Sequence, residues 1–260
     1  MHAVGWIQFC LTPCLEIRNP LQTILGLADL QLERAQEEHE PLLASDLSTI
    51  IGAAEFIEHI AEDILDLRRV EEGKVQIEKT DVDVVQIAGA LEKAMLPLLS
   101  KKPQIQFKVN VETGIHSIRT DRYRLQQILL NFLTNAYRHT EEGLITLSVS
   151  LASAEWMRIA VWDTGKGIPE DKRQSLFAQF AQVSAGDASE LGGFGLGLYL
   201  TKMLAELLGG KVGFETTLGL GSVFWVDLPT EYGRDDLSFQ FQNTEIMLQK
   251  TVGLGMPRGF

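Results

Sequence analysis

The sequence predicts an α+β chain in which a helical hairpin precedes a two-layer α/β sandwich. Three observations point to it. Before residue 73, apolar residues recur at helical spacing. Between 83 and 230, helical stretches are interleaved with runs in which every second residue is apolar. Short glycine- and serine-containing breaks join those runs, which favours mostly antiparallel pairing.

Ile17, Leu21, Ile24, Ala28 and Leu32 are spaced four, three, four and four, one apolar stripe along a helix. After a polar break around 37–41, a second stripe runs through Ile50, Ala54, Ile57, Ile60, Ile64 and Leu67. Two such helices with a short loop make an antiparallel hairpin over 1–73. A lone hairpin cannot bury both stripes, so pairing of two copies into a four-helix bundle is expected. The alternative is a helical layer folded onto the rest of the chain. Residues 74–82 read as a linker, and 83–230 as the second domain. There a helix is expected at about 84–99, a strand at 105–111 and a helix at 122–138. Strands at 144–151 and 156–162 follow, then a helix at 195–208 and a closing hairpin of 211–216 with 222–228. The polar tail 231–260 has no periodicity that defines an element and reads as disordered.

Hydrophobic residues make up 45% of the 260 and charged residues 22%, an ordinary globular balance with enough chain for a core. The formal net charge of −12 argues against nucleic acid, since Arg68-Arg69 and Lys101-Lys102 are isolated basic pairs. Cys10 and Cys14, four apart, suit neither a helical disulfide nor a complete metal site; free thiols in a reducing, cytoplasmic setting fit better. Residues 3–15 are uncharged, but no Lys or Arg precedes them, and the run is interrupted by Pro13 and too short to span a bilayer. Neither a signal peptide nor a transmembrane segment is expected.

Four motifs carry the chemistry. Asn131 and Asn135 are one helical turn apart and project from one face. Amide oxygens are hard neutral ligands suited to Mg²⁺, and Arg138, three residues on, can reach the same phosphates. His139 follows as a pocket or packing residue. Asp163-Thr-Gly165-Lys-Gly167-Ile168 comes directly after an apolar strand. The carboxylate can accept from an exocyclic amine such as adenine's, and the glycines let backbone approach a flat ring; the plain alternative is a glycine turn with a capping Asp. Gly193-Phe194-Gly195-Leu196-Gly197-Leu198 opens a helix, where free N–H groups face phosphate. Gly219-Leu-Gly221-Ser222 leads into the last strand. Phe177 and Phe180, three apart at a helix end, serve as core or as pocket wall.

In this order and at these spacings, the motifs resemble the N, G1, F, G2 and G3 boxes of two-component sensor histidine kinases, within the GHKL ATPase superfamily. The resemblance covers roughly 9–229. It implies a GHKL-type sandwich that binds ATP with Mg²⁺. Asn135 then ligates the metal with Asn131 assisting, Arg138 (commonly Lys in the family) contacts phosphate, and Asp163 reads the adenine amine. Gly165 and Gly167 flank the ring, while Gly193, Gly195 and Gly197 shape the phosphate loop. His139, Ile168, Phe177, Phe180, Leu196, Leu198 and Ser222 complete the nucleotide-binding positions. Phe194 departs from the usual Thr or Ser, at the cost of one phosphate contact.

The hairpin resembles the family's dimerisation and phosphotransfer module, since Glu16-Ile17-Arg18-Asn19-Pro20-Leu21 matches its H box. Where the family has the phosphoaccepting histidine, this chain has Leu15. Leucine offers no lone pair to the γ-phosphate, so self-phosphorylation there is not expected. Glu16 stands in the place of the base and Asn19 in that of the water-orienting residue used in dephosphorylation. Pro13 is expected to distort the helix. His59 lies level with about residue 22 and is a poor substitute acceptor. The resemblance implies a homodimer, or a heterodimer with an intact histidine kinase, and a response-regulator receiver domain as partner. A nucleotide-binding pseudokinase and a receiver phosphatase using Asn19 are the alternative activities.

Overall fold

The computed structural model describes residues 3–181 and 195–230, with side chains described throughout except at 3–18, Phe56 and His59. Two compact units divide them: one holds the chain up to Val75 together with Leu176–Leu200, the other Gln76–Ser175 and the residues from Thr201 on.

In the first unit, α1 (Ala3–Glu37) and α2 (Pro41–Glu71) form the hairpin. Pro13 does not end α1, which is helical on both sides of it. The cost of the missing N–H is local, and a helix of 35 residues absorbs it. At the turn, Glu40 N–H reaches the Ala35 carbonyl at 2.8 Å, and Pro41 starts α2 where its missing donor costs nothing. The buried seam consists of Leu21, Ala28 and Ala35, seven apart, against Ala54, Ala61 and Leu67. Alanines there let the helices approach closely. The register is marked by Gln22 Nε2 donating to Glu58 Oε1 at 2.9 Å, so residues 22 and 58–59 are level. Parts of the predicted stripes stay open: Ile24, Ile50 and Ile57 are 46%, 47% and 44% exposed. Among the described residues, no helix is long and apolar enough to cross a membrane.

The second unit begins with an element the sequence reading lacked. β1 (Thr80–Asp83) spans the end of the expected linker and the first residue of the expected domain, and pairs antiparallel with β3 (Ser117–Thr120). Between them run α3 (Val84–Lys101) and β2 (Ile105–Val111); after them come α4 (Arg122–His139), β4 (Gly143–Ser153), β5 (Trp156–Asp163) and the single turn α5 (Glu170–Arg173). α6 (Gly197–Leu207) starts in the first unit and ends in the second, and β6 (Lys211–Thr217) and β7 (Gly221–Pro229) close the fold. The main sheet has the order β2-β4-β5-β7-β6, antiparallel except for the parallel pair β2–β4.

Asp83 and Asp121 cap α3 and α4 by accepting backbone N–H groups of Val85, Gln86 and Arg124. The second oxygen of Asp121 accepts Glu78 N–H at 3.0 Å, which ties the segment before β1 to the start of α4. Leu91 and Met95 of α3 and Leu125, Ile128, Phe132 and Leu133 of α4 are buried, with Ile145, Leu147, Met157 and Ile159 of the sheet. Each such side chain contributes roughly 1.5–3 kcal/mol by burial. This core fixes the face of α4 that turns inward. It leaves Asn131 and Asn135 half-buried on its flank.

Candidate functional site

α4 places both asparagines one turn apart, and their amides are linked. Asn131 Nδ2 donates to Thr201 Oγ1 at 2.6 Å, and Asn135 Nδ2 donates to Asn131 Oδ1 at 3.4 Å. Arg138, in the last turn, is exposed, and desolvation lowers its guanidinium pKa. His139 is exposed by surface area, yet desolvation of its ring is the first cause that lowers its pKa to about 4, followed by Lys166, Arg138 and Lys102. Three cations thus gather around one ring in a chain of net charge −12.

The loop after β5 abuts this helix end. Lys166 N–H donates to the His139 carbonyl at 3.3 Å, and a side chain at Gly165 would collide with that same carbonyl. Gly167 has φ 65°, and a Cβ there would strike the Thr217 carbonyl. Both glycines are therefore demanded by the protein's own backbone, before any ligand is considered. Asp163 Oδ1 accepts Gly165 N–H at 2.8 Å. Burial raises the Asp163 pKa, opposed by the backbone N–H groups of Gly165 and Ser222. Ser222 stands opposite Asp163 in the β5–β7 ladder. Its hydroxyl meets Thr216 Oγ1 at 2.9 Å, and the latter also accepts Ile168 N–H at 2.9 Å. Asn131, Asn135, Arg138, His139, Asp163, Gly165, Gly167, Ile168 and Ser222 all belong to the second unit.

The remaining positions belong to the first. Phe177 and Phe180 do not sit at a helix end: α5 stops at Arg173, and both lie in turns beyond it, Phe180 with φ 62° and 60% exposed. Helix α6 starts at Gly197 and not at 195, because Gly195 is left-handed with φ 70°. Leu196 is buried, while Gly197 and Leu198 are half-buried. Gly193 and Phe194 lie outside the described residues, as does the tail 231–260. Asn19 is exposed; the side chains of Leu15, Glu16 and His59 fall outside the described set.

Thr201 was not among the candidates, although it carries a sequence signal. It falls on the stripe Gly197, Leu200, Thr201, Leu204 and Leu208, and a hydroxyl on an apolar helix face calls for a partner.

Comparison with known proteins settles the family. Residues 120–232 match the family described as histidine kinase-, DNA gyrase B-, and HSP90-like ATPase, and 16–73 match the His Kinase A (phospho-acceptor) domain. The chain belongs to the two-component histidine kinases. It is 35% identical to the autoinducer 2 sensor kinase/phosphatase LuxQ of Vibrio vulnificus over 224 residues, 84% of this chain and 26% of that protein. The sensory/regulatory protein RpfC of Xanthomonas campestris is 32% identical over 228 residues, 84% of this chain and 30% of RpfC. This histidine kinase core therefore spans about a quarter to a third of the length of those relatives. Full-length ShkA, solved with AMPPNP, superposes with a TM-score of 0.69 at 29% identity, covering 87% of this chain and 46% of ShkA. AdeS of Acinetobacter baumannii, at 19% identity and TM-score 0.59, shares the fold. The helical hairpin followed by a mixed sheet domain is the architecture of these kinases.

Proposed function

We propose that this kinase core binds Mg-ATP in its second unit and takes part in phosphorelay signalling without phosphorylating itself at the H-box position. The observation that carries the binding half is the junction of α4 with the loop after β5. There the Asn131–Asn135 amide pair, the cations around His139 and the Asp163 carboxylate lie on adjoining elements, held by the His139 carbonyl contact. ShkA, with AMPPNP in its structure, supports the ligand class.

The donor set fits the metal. Asn131 Oδ1 is engaged by Asn135, while Asn135 Oδ1 has no hydrogen-bond partner among the described residues, leaving a hard oxygen for Mg²⁺. Asn135 would hold the ion with Asn131 beside it; the ion's charge would neutralise the triphosphate. Arg138 contacts phosphate, and Asp163 accepts from the adenine amine.

Leu15 carries the other half. Proton removal by Glu16 accomplishes nothing without a nucleophile to receive phosphate. Two copies pair through the hairpin, or one copy pairs with a kinase that keeps its histidine, and a receiver domain is the downstream partner. Incubation with γ-labelled ATP tests the reading. The chain is expected to bind nucleotide in a Mg²⁺-dependent way yet take up no acid-labile label, and Leu15→His to acquire label. Acid-labile label on the unaltered chain would overturn the role given to Leu15; absence of nucleotide binding would overturn the whole reading. Phosphatase activity through the exposed Asn19 is the second reading, favoured by the intact stretch 16–21, and loss of receiver dephosphorylation in Asn19→Ala would support it.

A further inference from the structure

We infer that Thr201 is a positioning residue that anchors the Asn131 amide and, through it, the Asn135 amide that faces the metal. The inference rests on the nucleotide reading above and extends it to a residue outside the N-box motif.

Three polar groups form a directed chain. Thr201 Oγ1 accepts from Asn131 Nδ2 at 2.6 Å, and Asn131 Oδ1 accepts from Asn135 Nδ2 at 3.4 Å. An amide has one donor end and one acceptor end, so fixing the first amide orients the second. A hydroxyl can also donate, but in the bond formed here Thr201 accepts, and the Asn131 oxygen is turned towards Asn135. Asn135 then satisfies that oxygen with its NH₂, and its own oxygen is what remains. Among Asn135's side-chain atoms, only that oxygen suits a hard divalent cation; an NH₂ there would repel it.

Thr201 is built for this role. It is 2% exposed and lies on α6 among the buried Leu200, Leu204 and Ala205. A valine of the same shape would fill the space and remove the acceptor. Asn131 would then lose its orienting partner, either amide could turn over, and in part of the population Asn135 would present its donor end. Loss of an outer-shell partner of this kind typically weakens metal binding by about 10–100-fold.

Binding of a fluorescent ATP analogue, measured with Mg²⁺ and again in excess EDTA, tests the inference without any catalytic readout. For Thr201→Val, Mg²⁺-dependent affinity is expected to fall by about tenfold or more. Metal-free affinity should stay within about twofold of the unaltered chain, and Thr201→Ser should restore the Mg²⁺ dependence. Thr201→Ala serves as a second hydroxyl-free variant if valine folds poorly, with a thermal melt as the check on folding. An unchanged Mg²⁺ dependence in folded Thr201→Val or Thr201→Ala overturns the inference and leaves the nucleotide site standing. Equal losses with and without metal also overturn it, by showing a packing role. If the unaltered chain binds no nucleotide, the site itself is refuted and the inference falls with it.

Discussion

Asp163 is under two opposed demands. Burial raises its pKa and so penalises the charged form, while reading an amine calls for a carboxylate. Asp163→Asn should separate the two. A neutral amide escapes the charge penalty but accepts less strongly than a carboxylate, by about 1 kcal/mol, so ATP affinity is expected to drop about five- to tenfold. The melting temperature at neutral pH should not fall below that of the unaltered chain, and a large fall would show that the carboxylate acts chiefly as a turn brace for Gly165. His139 titrates with the opposite sign. Its folded pKa of about 4 lies below the ordinary 6.5, so the unfolded chain binds the proton first as pH drops. The stability tied to the neutral ring is present above pH 6.5 and is lost as pH falls towards 4. His139→Phe should therefore melt with less dependence on pH across that window, as thermal scans at several pH values would show. An unchanged slope would assign the acid lability to other groups. These residues were legible in the sequence as types and spacings. Thr201 stood out only as a hydroxyl on an apolar stripe, and its partner was not legible, because Asn131 lies 70 positions away.

At the scale of elements, most of the sandwich followed from local pattern. β2 and most of β4 alternate, β5 is a mostly apolar run, and α4 carries its apolar stripe without interruption, so those boundaries fall within a residue or two of expectation. The misses have physical causes. β1 and β3 have four residues each, too few for a period to show, and they exist because they pair with one another across the whole of α3 and β2. The expected helix around Phe177 shrank to one turn because 174–181 adopts turns, with Phe180 in left-handed backbone. On the outer face of the sheet, Arg158 grips the 2%-exposed Asp227 through two bonds of 2.7 and 2.8 Å, with Lys211 3.9 Å away. Among the described residues, Arg158→Met would leave the buried Asp227 carboxylate with only the distant lysine. A loss of about 3 kcal/mol is expected, at the low end for a broken buried pair because Lys211 remains. Urea unfolding measures it; a loss under about 1 kcal/mol would mean that solvent already screens the pair.

For the molecule as a whole, the decisive property of the hairpin is what one copy leaves uncovered. Its seam is lined largely by alanines, small enough for the two helices to come close, yet Ile24, Ile50 and Ile57 remain more than 40% exposed on stripes that burial would reward. Leu27 at 59% and Leu30 at 58% add to the apolar surface of α1. Isolated exposed leucines need no explanation, but a recurring set along two helices is the mark of an unfilled interface. Pairing of two hairpins would cover it. A glutamate at residue 57 would then place a charge inside each interface, where it has no partner. Ile57→Glu is accordingly expected to convert a dimer into a monomer by light scattering while leaving nucleotide affinity unchanged, because Ile57 belongs to the first unit and Asn131, Asn135, Arg138 and Asp163 to the second. A dimer that survives the substitution would move the interface elsewhere on the hairpin. A variant that loses nucleotide binding together with dimerisation would show that the second unit depends on the paired hairpin, and the heterodimer reading would then have to supply both at once.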